Sequence, residues 1–249
     1  MPKKTEWFND VNFWEQFAPI MFDEDHWAEV PAVADGIIRF AGLDLSSSVL
    51  DICCGFGRIS TELARKGLSV TGVDITESYL QTAREEASYE NLKIEYINCD
   101  ARTFTRPGFF NAAVNLYTSF GYFDDQKEDL IMLKNVCNSL KTGGSFIIET
   151  LGKEIAVLNF VETEWFERAG FTVLTEYEAL DSWSILKNRW ILLKDGKQFE
   201  KVFTQRLYSA SELRELMLEA GFAKVEIFGS WDKIPYDQHA ERLIVVGRL

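Results

Sequence analysis

A chain of 249 residues with 47% hydrophobic and 26% charged residues can bury one large α/β core and is neither disordered nor collagen-like in composition. Its net charge of −13 excludes a nucleic-acid partner, because phosphate contacts need clustered Lys and Arg and the run Lys3-Lys4 is too short to supply them. No window approaches the length that spans a bilayer, residues 1–10 carry no apolar signal region, and no membrane partner is expected. The cysteines Cys53, Cys54, Cys99 and Cys137 have no zinc-like spacing with His26 or His239, so no metal is expected and reduced thiols in a cytoplasmic protein are.

In chain order, Trp7, Phe8, Phe13, Trp14, Phe17, Phe22 and Trp27 are spaced for one or two short helices with an apolar face. Residues 31–42 read as a helix ending at glycine. From residue 49 short apolar runs alternate with amphipathic stretches. Strands are predicted over 49–52, 68–73, 92–97, 109–116 and 145–150, with helices over 58–66, 77–90 and 127–140 between them. Strand, helix, strand at this spacing implies parallel pairing with right-handed crossovers. Alternation over 171–177, 182–193 and 197–207, with an Asp195-Gly196 turn, predicts an antiparallel hairpin insertion. A helix over 209–220 and strands over 223–228 and 243–248 close the chain. The expected fold is α/β, a doubly wound, mostly parallel, seven-stranded Rossmann-like sheet. A single domain over 1–249 divides into a helical cap (1–45), a core (46–152), an antiparallel lid (153–207) and a C-terminal helix and strands returning to the core (208–249).

Ligands of open α/β sheets bind beyond the carboxyl ends of the strands. The first such end reads Asp51-Ile52-Cys53-Cys54-Gly55-Phe56-Gly57-Arg58. Its glycines let backbone approach a ligand, and the helix that follows favours anionic groups. Asp51, ahead of the glycines, is placed to meet a positively charged amine. Asp74 closes the second strand, where an acid accepts hydrogen bonds from ribose hydroxyls, and Asp100-Ala101 closes the third, offering a carboxylate to an adenine amino group. A single strand-end acid is more often a turn or helix-cap residue; three in succession are much harder to assign to caps.

The segment 49–149 resembles the class I S-adenosylmethionine-dependent methyltransferases, in particular the small-molecule and sugar N-methyltransferases with the patterns CCGFGR, GVD and TSFGYF. The resemblance implies S-adenosylmethionine as cofactor and S-adenosylhomocysteine as product. It implies cofactor contacts from Asp51, Cys53, Gly55, Gly57 and Arg58 in the first loop, Asp74 and Ile75, Asp100 and Ala101, and Asn115, Leu116 and Tyr117 beside the transferred methyl. The N-terminal segment is Trp- and Phe-rich where relatives often show tyrosines that fold over the cofactor, a place the resemblance gives to Trp14 or Phe22. The family's commonest loop has glycine at Cys53, a departure that bears on affinity.

Methyl transfer is an in-line displacement in which the protein orients and desolvates, so no covalent nucleophile is required. Candidates to accept the acceptor's proton are Tyr117, Tyr208, Tyr236 and His239, each of which taken alone reads more readily as structural. Phe120, Trp183, Arg206 and Tyr236 are the candidates for the substrate pocket, with Trp190 beside them; the competing reading is that these aromatics fill the underside of the hairpin sheet. His26, in Asp25-His26-Trp27, reads as a surface or capping residue. The expected partner is a small-molecule amine or hydroxyl acceptor, taken up by a monomer or homodimer. A catalytically inactive binding module and a nicotinamide-dependent oxidoreductase are the alternatives, the latter leaving Asp51 without a task.

Overall fold

The computed structural model describes residues 6–249, so Lys3 and Lys4 lie outside the described residues. A 3-10 turn (Trp7–Asn9) leads into α1 (Val11–Met21), α2 (Glu24–Ala28) and α3 (Val30–Ala41). Asp10 caps α1 by accepting the Phe13 N–H, and α3 stops at Gly42, whose φ of 64° is one that glycine adopts without cost.

The sheet then builds in the alternating order the pattern implies: β1 (Ser48–Ile52), α4 (Arg58–Arg65), β2 (Ser69–Asp74), α5 (Glu77–Tyr89), β3 (Ile94–Asn98), β4 (Phe110–Asn115), α6 (Gln126–Ser139) and β5 (Leu140–Thr150). After β5 come α7 (Lys153–Leu158), β6 (Thr163–Arg168), β7 (Phe171–Leu180), β8 (Ile185–Lys194), β9 (Lys197–Arg206), α8 (Ala210–Ala220), β10 (Lys224–Phe228) and β11 (Leu243–Arg248). The large sheet has seven strands in the order β10-β11-β5-β4-β1-β2-β3. Its first five strands are parallel, while β11 runs antiparallel to both β5 and β10.

Every residue of β1 is buried, as expected for a strand covered on both faces, and the acid Asp51 within it is buried too. Helices cover both faces. Phe146, Leu133, Met132, Leu213 and Met217 fill one side, and Ile37, Phe40, Ile59 and Leu63 the other. Strand order reverses between β1 and β4, which opens a crevice at their carboxyl ends.

A second, four-stranded antiparallel sheet has the order β6-β7-β8-β9. Asp195 and Gly196 take φ of 50° and 73°, the primed hairpin geometry their sequence predicts. Alternation gives this sheet one apolar face, on which α1 lays Phe13, Phe17 and Ile20 against Val173 and Leu192. Two elements lack a sequence signal. The edge strand β6 exposes one face and only half-buries the other, and α7, with six residues, is too short to show a helical period. The predicted strand start at residue 182 is also displaced: Asp181, Ser182 and Trp183 take φ of 47°, 54° and 69°, so β8 begins only at Ile185.

Candidate active site

A cavity of about 840 Å³ lies between the carboxyl ends of β1, β2, β3 and β4, the inner face of the four-stranded sheet, and the helices α1 and α2. Pockets that hold small ligands span roughly 300–1,000 Å³, so this one has room for a nucleoside-sized group and a second small molecule.

One end is polar and built from strand termini. Asp51 is 4% exposed, and its Oδ2 accepts the Ser60 hydroxyl at 2.6 Å. Burial pushes its carboxyl up to about 6, with the Ser60 bond pulling the other way. Asp74 accepts the backbone N–H of Gly55 and of Thr76, each at 2.8 Å, so one carboxylate ties the glycine loop to the start of α5. Burial raises the Asp74 pKa against these bonds. Asp100 is gripped by Arg102, whose Nε lies 3.0 Å from each carboxylate oxygen. Burial works against the ionised form of Asp100, but the Arg102 contacts outweigh it and its pKa falls below the ordinary value. Asp51, Asp74 and Asp100 all line the cavity, together with Cys53, Gly55, Ile75, Ala101 and Trp14.

The loop conformation explains its residues. Cys53 and Gly55 have φ of 64° and 55°, and the N–H groups of Cys53 and Cys54 both reach the Val73 carbonyl, at 2.8 and 3.0 Å. A left-handed backbone costs a residue with a Cβ roughly 1–2 kcal/mol, which is the physical meaning of a thiol where glycine is commonest. Gly57, at φ 72°, caps α4 outside the cavity lining, and a Cβ there would collide with the Tyr96 hydroxyl.

The other end is wider and mostly apolar, with Ile155, Phe160, Tyr177, Leu186, Trp190 and Phe203 on its walls and the amides of Asn188 and Gln205 among them. Where the two ends meet, Tyr117 and Thr118 carry consecutive left-handed φ of 53° and 61°. Two such residues side by side are strained and persist only where surrounding bonds hold them. Here Glu149 Oε2 accepts the Tyr117 N–H at 2.7 Å, and Gln205 donates to the Thr118 carbonyl at 3.0 Å. The Tyr117 hydroxyl is buried without a partner. Burial raises the pKa of both Tyr117 and Glu149. Arg58 is 5% exposed, donates to the His26 carbonyl at 2.7 Å, and sits 4.5 Å from the Tyr117 ring centre and 5.0 Å from that of Phe22. No carboxylate lies within ion-pair distance of it among the described residues.

Several expected site residues lie elsewhere. Tyr208 is buried in the core against Phe120, and its hydroxyl donates to Asp129 at 2.7 Å. His239 is exposed on a surface loop. Arg206 follows the cavity-facing Gln205, so alternation along β9 turns it the other way, where Nη2 donates to the Asp124 carbonyl at 2.9 Å. Trp183 sits in the β7–β8 turn, edge-on to Phe160. Tyr236 donates to Glu154 at 3.0 Å. None of these, nor Phe120, lines the cavity, and the proton-acceptor and pocket expectations placed on them are corrected accordingly. Asn115 is fully buried behind the cavity, where Nδ2 donates to the Ile52 carbonyl at 2.9 Å, while Leu116 and Tyr117 line it. His26 is both a cap and a wall: its N–H is accepted by Asp23 at 3.0 Å, and its ring lines the cavity. Glu149 was missed, although it stands at a strand carboxyl end just as the three aspartates do.

The family model described as a methyltransferase domain matches residues 49–144. YqeM of Bacillus subtilis (strain 168), a candidate methyltransferase, is 25% identical over 215 residues, covering 82% of this chain and 84% of the relative. Among solved structures, an S-adenosylmethionine-dependent methyltransferase from Clostridium acetobutylicum superposes with a TM-score of 0.76 at 17% identity, over 96% of this chain and 97% of that one. CalS10 from Micromonospora echinaspora, an amino pentose methyltransferase with S-adenosylmethionine bound, superposes with a TM-score of 0.69 at 20% identity, over 95% and 97%. Residues 49–144 match a methyltransferase domain, and the chain as a whole shares the fold of S-adenosylmethionine-dependent methyltransferases.

Proposed function

We propose that this protein transfers the methyl group of S-adenosylmethionine to a nitrogen or oxygen atom of a small acceptor held in the apolar half of the cavity. The observation that carries the reading is one continuous cavity in which three strand-end carboxylates, Asp51, Asp74 and Asp100, give way to an aromatic compartment across the strained Tyr117-Thr118 segment.

The residues fit the cofactor. Asp51 uses one oxygen for Ser60 and keeps the other for an amine, and Asp74 retains unused lone pairs for ribose hydroxyls beside Ile75. Asp100 and Ala101 serve the adenine, and Cys53 and Gly55 bring their backbone close to the ligand. Arg58, a buried cation with no carboxylate partner among the described residues, takes the methionine carboxylate. Trp14 covers the site, and Leu116 and Tyr117 face the reacting centre. Asn115 and Gly57 act at one remove, fixing the Ile52 carbonyl and the α4 start.

When bound, the cofactor supplies a methyl group already activated on a sulfonium, so this chain contributes orientation and exclusion of water. The aromatic walls desolvate the acceptor, and the Asn188 and Gln205 amides fix its heading. The charge on the acceptor side is mixed: Glu29, Glu149, Glu164 and Glu241 line the cavity with Arg168 and Arg242. An acceptor with an amine on an apolar or sugar body suits these walls, as the amino pentose does for CalS10.

Incubation with S-adenosylmethionine and a panel of small amines and phenols, read by mass spectrometry, tests the proposal. An acceptor that gains one methyl group is the expected result. Tight cofactor binding without methylation of any member would favour the inactive-module reading.

A further inference from the structure

The acceptor must lose a proton, and the side chains first expected to take it are remote or locked. Tyr208 already donates to Asp129, His239 is exposed away from the cavity, and burial pushes the Tyr117 hydroxyl further from ionisation. We infer that His26, oriented by Asp23, is the general base that receives the acceptor's proton; this deepens the methyltransferase reading above and rests on it.

The geometry has three parts. First, Asp23 Oδ1 is hydrogen-bonded to both the His26 backbone N–H, at 3.0 Å, and the ring Nδ1. An ionised carboxylate only accepts, so Nδ1 of the neutral ring carries the hydrogen and Nε2 keeps a free lone pair. Second, Asp23 is itself fixed, because its other oxygen lies 3.0 Å from Arg168 Nε on β6. Burial opposes ionisation of Asp23, but the His26 bonds and the Arg168 charge outweigh it and hold the carboxylate below its ordinary range. Third, His26 lines the cavity and its ring stands edge-on to Tyr117, with centroids 6.2 Å apart, beside the strained Tyr117-Thr118 segment. A helix cap alone requires only the backbone bond and leaves the ring free to point into solvent.

The charged groups facing His26 come from each element packed around it. They are Asp23 at the start of α2, Arg168 of β6 behind Asp23, Arg58 of α4, whose Nη1 donates to the His26 carbonyl, Tyr117 after β4, and Glu149 of β5. In the step, the acceptor's lone pair forms the new bond to the methyl carbon while the methyl–sulfur bond breaks and its electron pair stays on sulfur. The acceptor's proton passes to His26 Nε2, and the resulting imidazolium is stabilised by Asp23. His26 is then the catalytic residue and Asp23 the positioning one.

The test combines a tautomer measurement with kinetics. The chain has two histidines, so a long-range proton–nitrogen NMR spectrum, assigned with His239→Gln, reads the His26 ring directly and needs neither cofactor nor acceptor. The expected neutral form carries its hydrogen on Nδ1; hydrogen on Nε2 would overturn the inference. Turnover is then followed with the fastest amine or phenol of the panel, tyramine being the first probe because it offers both atoms. His26→Asn, which keeps a donor for Asp23, should lower kcat by about 10²–10⁴-fold and abolish the acid limb of the pH profile. Its cofactor affinity by calorimetry should stay unchanged. Asp23→Asn, whose amide can donate to Nδ1, should lower kcat and move the neutral ring's hydrogen to Nε2, a change the same NMR spectrum reads and a merely structural Asp23 would not cause. A kcat within about threefold of wild type in His26→Asn, with the acid limb intact, would overturn the assignment. Failure of the wild type to bind S-adenosylmethionine would instead count against the methyltransferase reading itself.

Discussion

Asp51 shows how a single buried side chain can couple cofactor binding to pH. Its carboxyl is pushed up to about 6 in the cofactor-free protein, mainly by burial, while an amine is met best by the ionised form. Affinity for S-adenosylmethionine should therefore weaken as pH falls through about 6, approaching about tenfold per unit at lower pH. Asp51→Asn should bind weakly and lose that slope; a wild-type affinity flat from pH 5 to 8 would contradict the amine contact. For the empty protein the sign is opposite. A raised carboxyl pKa contributes stability that is fully present below its unfolded value and lost as pH rises through about 6. Asp51, Asp74 and Asp100 were legible in the sequence because a strand end followed by glycine or a helix start fixes where a side chain goes. Arg206 and Trp183 were not, because their direction depends on strand register and on a turn whose left-handed residues carry no glycine signature.

Among the elements, the join between β9 and the segment linking β4 to α6 holds the floor of the cavity to its lid. Gln205 donates to the Thr118 and Phe120 carbonyls at 3.0 and 3.2 Å, the Arg206 N–H reaches the Gly121 carbonyl at 2.7 Å, and Tyr208 donates to Asp129 on α6. Asp129 is fully buried, and burial pushes its carboxyl up to about 7 against the Tyr208 bond and the Arg206 charge. With the folded pKa above the unfolded one, its contribution is present below about 4 and lost as pH rises through about 7. Asp129→Asn cannot ionise yet still accepts from Tyr208, so its Tm should gain on wild type between pH 5 and pH 8. A difference in Tm that stays constant over that range would refute the shift. The parallel core was readable because its strands are covered on both faces and separated by helices of clear period. The small sheet was readable only where alternation was strong: β6 exposes Thr163, Trp165 and Glu167 on one face and only half-buries Phe166 and Arg168 on the other, and α7 is shorter than two turns.

At the scale of the whole molecule, the two sheets and the first helices share one cavity. The cavity draws its walls from the strand ends of the large sheet, from α1 and α2, and from the small sheet. A ligand seated there ties all three together. S-adenosylmethionine at a hundred times its Kd should stabilise the native state by about 2.7 kcal/mol and raise Tm by roughly 5–10 °C. A rise confined to a minor early transition would show instead that the small sheet unfolds independently. The most direct measurement is a calorimetric titration of S-adenosylmethionine into wild type and Asp74→Asn at neutral pH. One equivalent should bind wild type with micromolar affinity, and Asp74→Asn, which loses the charged acceptor for both loop and ribose, should bind at least about tenfold more weakly. No heat of binding from a well-folded wild type would contradict the account.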